Sequence, residues 1–563
     1  MIDPKADRAE GAVEAVIGVG RSCPVGRSTL NASRASAGSV LSVLTALSAS
    51  TALTPASVVS AQEPQLSESA RRGKVVYDKW CMECHGETGA GDGAAAAFML
   101  PRPRDFTRAV YQIRTTASGE LPTDADIRQV IDNGMPGTAM PAWGTKLSEA
   151  ERKDLVAYLK SFSTFFEGDP PTSIEVGREP RRSADGLAEG RATFETLECF
   201  KCHGDMGRGD GPSAPTLRDD WDFPTRAADL TQSWTFNGGS TVEEIYRRLR
   251  TGLDGTPMPS FSDVIDAQVI TDEQLWRVAQ YVRSLSPETP PQARDVLRAR
   301  LVDGALPAGP ADSAWEAVEP YYIPLVGQVV QKPRWFAPMV EMLWAQAVHD
   351  GRTLAVRVAW HDRSRSPDPA WDEWLAAMVA AVTDVDGPLG TAQGPDRLTI
   401  QFPGRLSGDL ERPYFLGGDR RRPVYLWRWS SEPDGVEEGT GTGFGRFTLR
   451  DGGGQVTHQA RFDRGEWQVQ FTRPLVSSDS TQAPSFTPGE VIPLAFFAAD
   501  GSSGETDGRG SISAWYGIYL DVPTPRSVFL IPVVAAVLTA GLGMMVVWRA
   551  QRRGLGRSTS EES

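Results

Sequence analysis

Cysteine is scarce in this chain, with five residues in 563. Four of them fall in two stretches of one pattern, CMECHGETGAGDG (81–93) and CFKCHGDMGRGDG (199–211). The fifth, Cys23, lies in a segment expected to be removed. That distribution argues against a disulfide framework, in which many paired cysteines staple a small fold. Positive charge is also short: 58 Lys and Arg against 72 Asp and Glu give a net charge of −14. Phosphate binding needs a basic surface, so this balance argues against nucleic acid as a partner. No P-loop, dinucleotide fingerprint or serine-nucleophile motif is present.

Long hydrophobic runs are few. One is long enough to matter: Val528 to Trp548, 21 residues without a charge. At about 1.5 Å per residue it spans a hydrocarbon core of about 30 Å. Arg549, Arg552 and Arg553 follow at once. The positive-inside rule therefore puts the tail in the cytoplasm and everything before it outside. Near the start, Arg21, Arg27 and Arg34 precede a weakly apolar run, Val40 to Ala56, and a small-residue step, Val59-Ser60-Ala61. This reads as a secretory signal peptide.

What is present is organised in blocks, since 563 residues exceed what one core supports. Two stretches of about a hundred residues repeat one plan. Each has the cysteine motif, a Gly-rich loop, an Asp-apolar-Thr step (105–107; 229–231), a short helix, a Met-Pro loop and a final helix. The short helices open on Thr123-x-x-Asp126 and Ser240-x-x-Glu243 capping patterns. In the final helices, Leu155, Val156, Tyr158, Leu159 and Phe162, and likewise Leu275, Val278, Ala279, Val282 and Leu285, share one helical face. From about residue 310 the period becomes two: Leu354, Val356, Val358 and Trp360 alternate with Ala355, Arg357, Ala359 and His361. Eleven of the sixteen tryptophans lie in this half. The expected fold is multidomain: two all-α domains, an all-β sandwich-like domain and one C-terminal transmembrane helix. The expected boundaries are a leader at 1–61, a first domain at 62–165, a linker at 166–188 and a second domain at 189–290. A β domain follows at 310–525, then a transmembrane helix at 526–549 and a tail at 550–563.

Cys-x-x-Cys-His is the covalent haem attachment pattern: two thiols form thioethers and the histidine sits under the iron. A four-cysteine zinc site would leave His85 and His203 without a role. So Cys81, Cys84, Cys199 and Cys202 are expected to carry two haem c groups, with His85 and His203 as axial ligands. A second axial ligand comes from NGMPGTAMPAW and TGLDGTPMPSF. His85 to Met140 is 55 residues, and His203 to Met258 is 55 again. Met140 and Met258 are therefore expected as the sixth ligands, with Met135 a pocket residue opposite Leu253. Two protein ligands leave no open site for oxygen or peroxide, which favours electron transfer over catalysis. No catalytic residue is assigned.

With these motifs in place, residues 62–165 and 189–290 resemble two tandem class I c-type cytochrome domains. The resemblance implies three or four helices around each haem, with Arg104 or Arg226 as candidates for pairing with haem propionates. Residues 310–525 are similar to the haem-binding gamma subunit of the ethylbenzene dehydrogenase type, which serves molybdenum enzymes of the dimethyl sulfoxide reductase superfamily. The stretches that carry the similarity are VHDGRTLAVRVAWHD (348–362), DRLTIQFP (396–403), RPYFLGGDRRRPVYLWRW (412–429), GEWQVQFTRPL (465–475) and IPLAFFAADGSSGETDGRGSISAWYGIYL (492–520). In that family a b-type haem often lies between a methionine and a lysine. Here Gly417 stands at the methionine position, and Arg509 and Gly510 stand at the lysine position. A third, b-type haem would need other ligands, drawn from His349, His361, His458, Met339 and Met342. The expectation is a domain that kept the fold and lost that haem.

The resulting expectation is a membrane-anchored, periplasmic dihaem cytochrome that passes electrons to or from a redox protein, by the gamma-like resemblance a molybdenum or iron–sulfur oxidoreductase. Two alternatives remain open. In one, the β domain binds a ligand such as a carbohydrate through an aromatic platform of Tyr425, Trp427 and Trp429. In the other, the chain is a dihaem peroxidase with one open iron site.

Overall fold

Four helices of the first half carry their own start signals. Thr123 with Asp126, Ser148 with Glu151, Thr241 with Glu244 and Thr271 with Gln274 each form a reciprocal capping box. The third lies one residue beyond the expected Ser240–Glu243 pair. A helix begun at Val242 is the one that turns Ile245, Tyr246 and Leu249 into the core. The computed structural model describes residues 66–382, 390–406, 412–452, 454–523 and 527–558. The leader expected at 1–61, with Cys23, and the last residues of the tail lie outside them. The chain divides into two units, Met1–Glu288 and Thr289–Ser563.

The first unit holds both helical repeats. Helix Glu68–Trp80 packs on Glu149–Lys160, and helix Ala184–Thr196 packs on Asp272–Ser284. Each crossing is made over a glycine. A Cβ on Gly73 would overlap the backbone carbonyl of Asp154, and one on Gly190 would overlap that of Arg277. Helix axes this close need the missing side chain. Leu155, Val156, Tyr158 and Leu159 fill one core, and Leu275, Val278, Ala279 and Val282 fill the other. The end of the expected linker is helical instead. Ser183 caps a helix that starts at Ala184, so residues 184–188 belong to the second domain. The stretch before it is irregular but held. Ile174 N–H donates to the Thr115 carbonyl at 2.8 Å, and Gln280 Nε2 donates to the Pro180 carbonyl at 2.7 Å.

The second unit is built on one fourteen-stranded sheet among the described residues. Its main path runs 457–462, 466–474, 353–361, 342–349, 296–301, 516–520, 491–499, 397–403, 424–431, 434–441 and 447–449. The sheet folds over itself. Trp360 and Trp467 from one end meet Trp429 from the other, with ring centroids 5.9 and 4.8 Å from it. Inward residues of both halves form a single core, which gives the sandwich expected from the two-residue period. One strand lies ahead of the expected start at 310. Val296–Leu301 sits in the middle of the sheet, parallel to both neighbours. Leu297 and Ala299 point inward between exposed Val296, Arg298 and Arg300, a short alternation that is hard to see beside the proline-rich segment before it. Last comes helix Ser527–Ser558. Val528–Arg553 has a mean hydropathy of 2.4, is unburied, and is long and apolar enough to cross a membrane.

Candidate functional site

Each cysteine motif forms one tight helical turn. His85 N–H donates to the Cys81 carbonyl at 2.9 Å, and His203 N–H donates to the Cys199 carbonyl at 3.0 Å. First cysteine and histidine are therefore four residues apart on one face. The chain then reverses at Gly86 (φ +80°) and Gly204 (φ +76°). A Cβ at either would overlap the carboxylate of Asp92 or Asp210, so the motif's first glycine and its aspartate are coupled. The reversal lets Gly91 N–H reach the His85 carbonyl at 2.9 Å, and Gly209 N–H reach that of His203 at 2.8 Å. The loop written twice in the sequence is a backbone cradle behind each histidine.

Each imidazole is pinned by one hydrogen bond. Nδ1 of His85 lies 3.0 Å from the Arg104 carbonyl, and Nδ1 of His203 lies 2.9 Å from the Ala228 carbonyl. A carbonyl only accepts, so Nδ1 carries the proton and Nε2 keeps a lone pair for a metal. The Asp-apolar-Thr step explains these carbonyls. Asp105 Oδ1 accepts from Thr107 N–H and Oγ1 at 2.9 and 2.6 Å, and Asp229 does the same for Thr231. Each turn fixes the peptide just before it. Phe106 also stacks on the His85 ring, with centroids 4.6 Å apart. Sequence reading noticed the repeated step but missed the carbonyls, because a backbone acceptor leaves no side-chain signature.

The Met-Pro loops are copies as well. Met135 N–H donates to the Met140 carbonyl at 3.0 Å, and Leu253 N–H donates to that of Met258 at 3.1 Å. Thr138 Oγ1 donates to the Met135 carbonyl and Thr256 Oγ1 to that of Leu253, both at 2.7 Å. Those hydroxyl oxygens accept from the N–H of Met140 and Met258 at 3.1 and 3.3 Å. A shared loop geometry presents Met140 and Met258 and leaves Met135 at the loop's closing position, where Leu253 serves equally.

The donor set fits a c-type haem better than zinc. All four described cysteines are unbridged. Burial pushes the Cys81 and Cys199 thiols up to about 12, so without a bound group both stay protonated, and a four-cysteine zinc site would leave His85 and His203 without a role. Buried donors also lack a protein acceptor: the Tyr111 hydroxyl and the Trp221 indole N–H. The Arg104 guanidinium lies over the Trp221 ring, 4.9 Å from its centroid. These groups suit acidic substituents such as haem propionates. Arg104 is thus a half-buried interface residue rather than a solvated one, and Arg226 is half-buried too. The residues that would hold the two haems are Cys81, Cys84, His85 and Met140, and Cys199, Cys202, His203 and Met258.

In the β domain two of the three histidines expected as alternative b-type haem ligands face carboxylates. His458 Nε2 lies 2.9 Å from Asp434 Oδ1, and His361 Nε2 lies 3.6 Å from Glu466. His349 Nδ1 accepts the Gly351 N–H at 3.2 Å, which leaves its proton on Nε2, the reverse of His85 and His203. Gly417 occupies a left-handed turn (φ +74°), and Arg509 is buried. Neither glycine nor arginine ligates iron. Tyr425, Trp427 and Trp429 are 1%, 0% and 2% exposed, so they form core and not an aromatic platform.

Comparison with known proteins identifies the two helical domains. Residues 68–159 match the family described as cytochrome C oxidase, cbb3-type, subunit III, and residues 187–286 match that described as cytochrome c. The chain is similar to a Haloferax mediterranei protein described as a respiratory nitrate reductase heme subunit, ORF7, at 26% identity over 44% of this chain and 82% of that one. It is similar to the chlorate reductase subunit gamma of Ideonella dechloratans at 25% identity over 40% and 83%. A chain in the structure of the Kuenenia stuttgartiensis reducing HAO-like protein complex is 44% identical, over 40% of this chain and 98% of that one, with a TM-score of 0.37. The chain thus carries two tandem cytochrome c domains, which imply two haem c groups, joined to a β-sheet domain, and it is similar to a nitrate reductase heme subunit and to a chlorate reductase gamma subunit.

Proposed function

We propose that this protein is a membrane-anchored dihaem electron carrier on the extracytoplasmic face, and that it serves as the electron-transfer subunit of a respiratory reductase complex. Cys81, Cys84, Cys199 and Cys202 carry the haems, and His85, Met140, His203 and Met258 are the axial ligands. The observation that carries this is the duplicated donor set: an imidazole with its Nε2 lone pair kept free, and a methionine 55 residues later in a matching loop. When bound, each haem supplies a one-electron iron couple, with a potential raised by the thioether relative to a second imidazole. Protein donors on both iron faces support relay rather than oxygen or peroxide chemistry. The helix from Val528 holds the chain to the membrane. The similarity to nitrate and chlorate reductase subunits supports a molybdenum or iron–sulfur oxidoreductase as the partner.

The test is a tagged pull-down from solubilised membranes, scored for molybdenum and iron, together with a pyridine haemochrome assay. We expect two haem c groups per chain and co-purifying molybdenum. A partner without molybdenum would redirect the partner assignment, and absence of covalent porphyrin would end the reading altogether.

A further inference from the structure

The loop that presents Met258 is not held by its own domain alone. Asp254 lies four residues before Met258, and Pro136 stands at that position in the first domain's loop. The Asp254 carboxylate is met by three donors of the first domain. Arg114 Nη2 lies 2.6 Å from Oδ1, Ser118 Oγ lies 2.9 Å from Oδ1, and Gly119 N–H lies 2.8 Å from Oδ2. Arg114 is fully buried. Its Nη2 also donates to the carbonyl of Thr251, the last residue of helix Val242–Thr251, at 2.6 Å. Its other N–H groups hold their own segment, with Nη1 to the Tyr111 carbonyl at 2.9 Å and Nε to that of Ala117 at 3.1 Å. The next loop residue, Gly255, is also covered from the first domain: a Cβ there would meet Arg104 Nη1 at 3.0 Å. Asp126 and Arg248 are the other charged groups that act on Arg114.

We propose that Arg114 is a positioning residue for the second haem, acting in trans through Asp254 to hold the Met258 loop closed. This rests on Met258 being that haem's axial ligand. A guanidinium shut away from water binds the acceptors it is given and stays there, because leaving would strand both charges. The loop of the second domain is therefore complete only while the first domain is docked. Docking of the two domains and the strength of the second iron–sulfur bond become one variable. In the first domain's loop Pro136 stands at the Asp254 position and offers no carboxylate for such a clamp.

The test uses full-length holoprotein carrying Arg114→Gln, read by three signals: the ferric methionine–iron charge-transfer band, carbon monoxide binding to the reduced protein, and the two midpoint potentials. We expect the variant to lose about half the band, to bind carbon monoxide at one haem of the two, and to show one lowered potential beside one unchanged. Met258→Ala must give the same pattern at the same haem. Arg114→Lys, which keeps the charge, should restore part of the band. If Arg114→Gln fails to accumulate with haem, Ser118→Ala removes one donor and should give a smaller shift of the same kind. A folded Arg114→Gln or Ser118→Ala protein with both bands and both potentials intact would overturn the clamp. A Met258→Ala protein that keeps its full band would instead overturn the ligand assignment.

Discussion

At the residue scale, the proposed relay turns on four ring nitrogens and two thioether sulfurs. Met140→Ala and Met258→Ala should each remove the charge-transfer band of one haem and lower its midpoint potential, leaving the other haem unchanged, as optical redox titration would show. The proposed pairing of His85 with Met140 and of His203 with Met258 comes from the sequence, where a single spacing repeats. The carbonyls of Arg104 and Ala228 are not, since any residue supplies a carbonyl and only the turn made by the next three residues aims it. Trp427 illustrates the opposite limit. As one of three aromatics two apart it reads equally well as platform or core, and packing decides, with Phe402 from the neighbouring strand, Phe471 from the far end of the folded sheet and Phe486 all around it. Trp427→Ala should cost about 3–5 kcal/mol in chemical denaturation, the range for emptying a buried aromatic site. A change near zero would put the ring at the surface.

At the scale of elements, Gly73 and Gly190 let two helix pairs cross at backbone contact. Either glycine changed to alanine should destabilise its domain by roughly 1–3 kcal/mol, as overpacking does, seen as a lower denaturation midpoint with haem still attached. In the β domain, three strand ends bring Asp362, Asp396 and Asp500 together, all buried, with carboxylate oxygens within 4.8 Å of one another. Burial, then the charge of Asp500, pushes Asp396 up to about 7. Burial and Asp500 push Glu505 up to about 8. Asp362 moves up as well, and Arg363 is the cation acting on Asp500. A carboxyl with a raised folded pKa binds its proton more tightly in the native state than in the unfolded chain. Its contribution is thus complete below about pH 4, the unfolded range, and is lost as pH rises through about 7 and then about 8. The melting temperature of this domain should fall between pH 5 and pH 9. Asp396→Asn should lower it at acid pH and flatten the slope. A slope unchanged in the variant would show that Asp396 does not titrate in the native state. None of this cluster was legible beforehand: Asp362, Asp396 and Asp500 are spread over nearly 140 residues, and sheet pairing alone assembles them.

At the scale of the molecule, the chain joins a redox half, a sheet half and one apolar helix. A chain ended after residue 523 should leave the membrane fraction while keeping both haems, as haem staining after fractionation would report. Retention in the membrane would place the anchor elsewhere.

The sequence by itself determined what depends on chemistry at short range. Two thiols and an imidazole within five residues, a methionine at a repeated distance, an apolar run of bilayer length and a two-residue period each announce themselves locally. Only the tertiary structure decided which tautomer the histidines hold, that strand Val296–Leu301 completes the sheet, that the tryptophans face inward, and that Arg114 closes on Asp254. Each of those rests on atoms brought together from distant parts of the chain, where water is excluded and partners are few. That energy has no local pattern from which it could be read.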